Sequence, residues 1–151
     1  MTIGEPTERE AIQAAITGVM HLLDHKQWSE LRGLFADTVR TDYTSLFGGE
    51  VQEPPGDALI ENWKKLLTPM VTQHLLGPIT VEANGDDAVA RCHVRAYHHK
   101  AGVPGGDEWM LAGHYVFGLT HRPRGWVIRA MTLEALYQTG NLRFLELAGG
   151  K

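Results

Sequence analysis

A single cysteine, Cys92, in a chain of 151 residues excludes an internal disulfide. That usage suits a reducing compartment and leads us to expect a cytoplasmic protein. Long apolar runs are also missing. Nothing approaches the roughly 18 residues of a membrane-spanning helix. The opening MTIGEPTERE is polar and acidic and lacks the apolar centre of a signal peptide. Nor is there an excess of basic residues: 14 Lys and Arg stand against 18 Asp and Glu, a net charge of −4 with the signs interspersed. No basic stripe is available to track phosphates, so neither nucleic acid nor membrane is an expected partner. HExxH is absent, the Gly-rich GVPGG (102–106) lacks phosphate-loop spacing, and no Ser or Cys nucleophile motif occurs. We therefore expect no metal and no organic cofactor.

What is present reads as one domain over residues 1–151, without repeats or low-complexity segments. A chain of this length buries roughly 68–70% of its unfolded surface and needs no staple to fold. TERE is a capping box, with Thr7 as N-cap and Glu10 three residues on. Ile12, Ile16, Val19 and Leu23 follow at helical spacing, and the helix should end near Asp24–Lys26. Trp28, Leu31, Leu34 and Phe35 predict a short second helix over 28–35. VRTDYTSLF (39–47) has the β-branched and aromatic content of a strand. Asp57 is placed to cap a helix carrying Leu59, Ile60, Trp63, Leu66 and Leu67. TQHLLG (72–77) then falls between that helix and the next strand.

The second half changes character. ITVEA, AVARCHVRAYHH, EWMLAGHYVFGLTH and WVIRAMTLEALY are strand-like, and NGDD, GVPGG and RPRG separate them as turns. Helices first and a long antiparallel meander afterwards predict an α+β fold: a cone-shaped, curved antiparallel sheet with helices on its concave face around one pocket. In the central strand Ala88, Ala90, Cys92, Val94, Ala96 and His98 share one face, while Val89, Arg91, His93, Arg95, Tyr97 and His99 share the other. The small apolar set should face the helices, with His98 as its polar member. A β-bulge would bring His99 inward instead.

Asp24, Tyr43, His74 and His98 could meet in such a pocket. His74 is then a core histidine, a metal ligand or a general base, and the residues leave all three open. Asp24, at the end of an apolar helix, is costly to bury without a partner, and His74 would serve; it could equally well just end the helix. Tyr43 could have its hydroxyl in water, and His98 and His99 could be a solvated strand end. His21 and His25 have the i,i+4 spacing of helical metal ligands, but no third ligand is suggested and they read as surface residues.

LLDHKQWSELRGLFADTVRTDYTS, TQHLLG, VRAYHH and GHYVFGLTHRPRGWVIRAMTLEALYQTGN carry a resemblance over about Thr7 to Asn141. The chain resembles the SnoaL-like family of the nuclear-transport-factor-2-like superfamily. Within it the chain is most similar to the scytalone dehydratases, with bile-acid dehydratase and hexachlorocyclohexane dehydrochlorinase also alike. The resemblance implies that His74 is the base that removes a proton next to a carbonyl or leaving group, and that Asp24 orients it. It also implies that Tyr43 holds the substrate carbonyl and that His98 assists loss of a hydroxyl by donating a proton. We assign the substrate wall to Trp28, Phe47, Trp63 and Met70, together with Leu111, Tyr115 and Met131.

Two departures set the chain apart. Leu23 stands where scytalone dehydratases have a tyrosine before the aspartate. GHYVFG lacks their serine and asparagine, leaving His114 or Tyr115 for that polar role. The expected activity is therefore a dehydratase (lyase) acting on a small apolar or polyketide-like carbonyl compound other than scytalone. Polyketide cyclisation, isomerisation and non-catalytic ligand binding on the same fold are the alternatives. Epoxide hydrolysis would need Asp42, Arg95 and Asp24 around a water, and Arg95 falls on the polar strand face. Curved sheets of the resembled family usually bury their outer face against another subunit, and here that face mixes Val89 and Tyr97 with Arg91 and Arg95, so the resemblance implies a polar-rimmed homodimer or homotrimer.

Overall fold

The chain runs α1 (Glu8–Asp24), α2 (Trp28–Arg32), β1 (Phe35–Asp42), α3 (Thr44–Phe47), α4 (Gly56–Leu67), β2 (Val71–Leu76), β3 (Thr80–Asn84), β4 (Asp87–His99), β5 (Glu108–Arg122), β6 (Gly125–Gly140) and α5 (Phe144–Ala148) in a computed structural model that describes residues 4–149. The expected capping box starts α1: Thr7 Oγ1 accepts from the Glu10 amide at 3.1 Å, and the Glu10 carboxylate accepts from the Thr7 amide at 2.8 Å. Lys26, at φ 58°, adopts the left-handed conformation that ends the helix. Its ammonium donates to the Met70 carbonyl and ties the end of α1 to the start of β2.

The α+β class holds, with a curved, open, six-stranded sheet in the order β1-β6-β5-β4-β2, β3 also pairing with β4. One pairing corrects the all-antiparallel expectation: β1 runs parallel to β6. The other pairings form antiparallel ladders. Most of the chain lies between β1 and β6, and a long connection permits parallel pairing where a hairpin cannot. The β5–β6 ladder is irregular at Ala112/Gly113. There a Cβ on Gly113 would lie 2.5 Å from the Glu134 carbonyl oxygen, so close backbone approach requires glycine. In β4 the alternation is as expected. Ala88, Ala90, Cys92, Val94, Ala96 and His98 are buried, and His99 is exposed.

Four local expectations change. The second helix stops at Arg32, and Phe35 opens β1. The strand placed at 39–47 begins earlier and ends at Asp42, whose Oδ1 accepts from the Thr44 amide (3.0 Å) and hydroxyl (2.7 Å). That local turn diverts the chain into α3, so Tyr43 precedes a helix. Asp57 does not cap α4: the cap position is Pro55, and Asp57 accepts from Arg32 Nε at 2.6 Å. TQHLL lies within β2. The helix α5 was not anticipated.

The core lies between the helices and the concave face, where Ile12, Ile16, Leu31, Phe117, Ile128 and Phe144 are fully buried. Among the described residues no helix is long and apolar enough to cross a membrane. Phe117 is packed on every side, so Phe117→Ala should lower unfolding free energy by about 3–5 kcal/mol, measured as a reduced urea midpoint with an unchanged slope.

Candidate active site

A carboxylate at the end of a helix faces the negative pole of the helix dipole and is unfavourable there unless donors surround it. Asp24 is the last residue of α1, and three donors converge on it from β2. Alternation along β2 puts the Thr72 and His74 side chains on one face. Thr72 Oγ1 donates to Asp24 Oδ1 at 2.9 Å, and His74 Nδ1 reaches the same oxygen at 2.7 Å. The His74 amide donates to Oδ2 at 2.8 Å. Burial pushes the Asp24 carboxyl up, but the side-chain and backbone bonds from His74 and the Thr72 hydroxyl outweigh it and hold the group below its ordinary value. An ionised carboxylate only accepts, so Nδ1 of His74 carries the proton in this pair. In the neutral ring Nε2 is then an unprotonated lone pair. The His74 and Asp24 side chains are only 8% and 15% exposed.

His74 lines a cavity of about 170 Å³ between the helices and the sheet. His98 lines it too, with ring centroids 6.1 Å apart and the planes edge to face. His98 Nδ1 lies 3.3 Å from the Trp109 carbonyl oxygen, which can only accept. Burial, followed by the nearby His74, pushes the His98 pKa down to about 4, so the ring is neutral at neutral pH with Nε2 as an acceptor. His99 faces outward, 3.5 Å from Glu108, so the strand contains no bulge that exchanges the two histidines.

Tyr43 and Tyr115 also line the cavity. The Tyr43 hydroxyl donates to Met131 Sδ at 3.5 Å, and burial raises its pKa. Burial also raises that of Tyr115, with Tyr43 and Cys92 adding to the effect. Both phenols remain neutral donors. Tyr115, not His114, occupies the inner face: His114 packs against His93 at 4.2 Å and lies 3.7 Å from Glu134 on the outer side.

Of the assigned wall, Phe47, Trp63, Leu111, Tyr115 and Met131 line the cavity. Trp28 and Met70 do not. Met70 is buried in the core and Trp28 packs against the core's edge. Phe47, 63% exposed, stands where the cavity meets solvent. Sequence reasoning missed Thr72, which a strand reading of TQH would have placed beside His74. It also missed Leu145 on α5, another wall residue. Asp42 is engaged with Thr44 and Arg95 with Tyr137 on the outer face, so the epoxide-hydrolase set is not assembled. His21 and His25 stack on each other near the protein surface. Among the described residues no group of three or more His, Cys, Asp or Glu side chains is placed to hold a metal.

Comparison with known proteins places these features in a family. The profile of the SnoaL-like domain matches residues 5–132. A dehydratase of Pestalotiopsis microspora is 33% identical over 112 residues, covering 71% of this chain and 70% of the relative. A scytalone dehydratase-like protein of Claviceps purpurea is 30% identical over 115 residues, covering 73% of each chain. The crystal structure of the Kfla4162 protein from Kribbella flavida shares the fold at a TM-score of 0.86 and 24% identity, over 92% of this chain and 97% of that one. The chain belongs to the SnoaL-like domain family of the nuclear-transport-factor-2-like fold.

Proposed function

We propose that the protein is a cofactor-independent dehydratase that removes water from a small β-hydroxy carbonyl compound, with His74 as general base. The observation that carries this reading is the bond between Asp24 Oδ1 and His74 Nδ1 at 2.7 Å, beside the apolar cavity that His74 lines. It holds the proton on Nδ1 and leaves Nε2 as a base, and the carboxylate stabilises the imidazolium formed on proton transfer. A binding module would gain nothing from a buried carboxylate that takes three donors beside its ligand. The relatives named dehydratases support an enzyme of dehydratase or related type.

In the proposed sequence His74 Nε2 takes the proton from the carbon next to the carbonyl. The C–H electron pair flows toward the carbonyl oxygen, where Tyr43 donates to the developing enolate. Collapse of the enolate forms the C=C bond and breaks the C–O bond to the β-hydroxyl. The departing hydroxide takes the proton from the His74 imidazolium, so water leaves and the base is restored. His98 differs here from the sequence expectation of a proton donor. With Nδ1 turned to the Trp109 carbonyl, its Nε2 accepts from the substrate hydroxyl and holds it near His74. Assembly into a homo-oligomer remains part of the proposal, supported by Leu75, Tyr97 and Tyr137, which are 50%, 39% and 48% exposed. A sedimentation mass above that of one chain would check it.

His74→Ala should lower kcat by about 10²–10⁴-fold with the fold intact by circular dichroism. Asp24→Asn should lose a comparable factor, and the double variant should be little worse than either single one, because the pair acts as a unit. Proton exchange at the α-carbon in deuterated water reads the first step. Full exchange by His74→Ala would end the proposal.

The neutral state of His98 has a thermodynamic consequence. Its folded pKa of about 4 lies below the ordinary 6.5, so the unfolded chain binds the proton first on acidification. The contribution of His98 to stability is full above about 6.5 and is lost as pH falls toward about 4. His98→Leu should flatten the pH dependence of urea stability across that window.

A further inference from the structure

The cavity wall is notable for the charges it lacks. Among the described residues no Lys, Arg, Asp or Glu side chain lines it; Asp24 reaches it only through His74. Its lining residues with polar side-chain atoms are His74, His98, Tyr43, Tyr115 and the indoles Trp63 and Trp109, the last of which donates to Gln138. A carboxylate or phosphate entering it would lose its hydration without gaining a counter-charge. The volume, about 170 Å³, is close to that of an apolar cavity of about 150 Å³ that holds benzene, and below the roughly 300–1,000 Å³ of sites for drug-sized ligands. A single ring or its open-chain equivalent fits within that space. The bare Nε2 of His98 imposes a third condition. Once water is displaced that lone pair needs a donor, and a ligand without one leaves it unsatisfied.

We propose, resting on the dehydratase reading, that the substrate is an uncharged molecule of single-ring size that presents a hydroxyl donor to His98 Nε2. Size, charge and the hydroxyl are each read from a different part of the wall. Size follows from the cavity volume, neutrality from the absence of charged side chains in the wall, and the hydroxyl from the Trp109 carbonyl that occupies His98 Nδ1.

The test is calorimetric binding of four simple probes to the intact chain: phenol, anisole, benzoate and 2-naphthol. Phenol should bind, and anisole should bind about five- to tenfold more weakly, the effect of one net hydrogen bond. Benzoate and 2-naphthol should give no saturable heat over the same concentration range. His98→Leu should make phenol and anisole equivalent, and His98→Gln, which keeps an acceptor oxygen, should restore a preference for phenol. Equal binding of phenol and anisole by the native chain would overturn the inference. So would benzoate or 2-naphthol binding as tightly as phenol, or phenol failing to bind. No turnover is needed, so the two readings fail separately. Missing phenol preference beside His74-dependent proton exchange removes this inference alone. Phenol preference without any proton exchange removes the dehydratase reading.

Discussion

A carboxylate held at the wrong end of a helix is the constraint around which this site is built. Asp24 closes α1, where the backbone carbonyls already concentrate negative potential, and it is largely shielded from water. It is tolerable there because β2 runs past with an unpaired edge. The His74 amide on that edge, the His74 ring and the Thr72 hydroxyl all donate to it. The same three bonds join the helical layer to the sheet and orient the imidazole. Structural need and chemical poise therefore rest on one interaction, and the Lys26 tether to Met70 holds the two elements in register.

The sheet supplies the opposite wall by simple alternation. Small residues at Ala88, Ala90, Cys92 and Ala96 keep the inner face of β4 low, and Ala96 among them lines the cavity beneath α1 and α4. His98 interrupts that series, and its burial is made acceptable by remaining uncharged and turning Nδ1 to the Trp109 carbonyl. The two histidines thus sit about 6 Å apart in unlike environments. One is backed by a carboxylate, the other by a neutral carbonyl. In the proposed function this difference gives one the role of proton transfer and the other that of holding a hydroxyl.

Much of this was legible in the sequence where a pattern is local. The Thr7 capping box, the apolar stripe of α1 and the two-residue period of β4 all appear in the fold. So does the inward position of His98, which follows from alternation alone. The partnership of Asp24 and His74 is different: the residues are 50 positions apart, and only the resemblance to a family singled it out. What failed was decided by single contacts. Asp42 bonding to Thr44 ended a strand that β propensity would have continued through Phe47. Asp57 turned to Arg32, and the parallel pairing of β1 with β6 has no local signature. The acceptor state of His98 depends on a carbonyl 11 residues away across a hairpin, which no spacing rule reveals.

The central claim is that Asp24 fixes the His74 tautomer and thereby keeps Nε2 basic toward the cavity. Nitrogen NMR of the chain labelled with ¹⁵N-histidine measures this directly, with His74→Gln assigning the signal. The account predicts that at neutral pH the proton of His74 resides on Nδ1 in a hydrogen bond to a carboxylate, with Nε2 bare. It also predicts that Asp24→Asn disturbs this preference. A proton on Nε2 with Nδ1 bare, or a tautomer unaffected by Asp24→Asn, would contradict it.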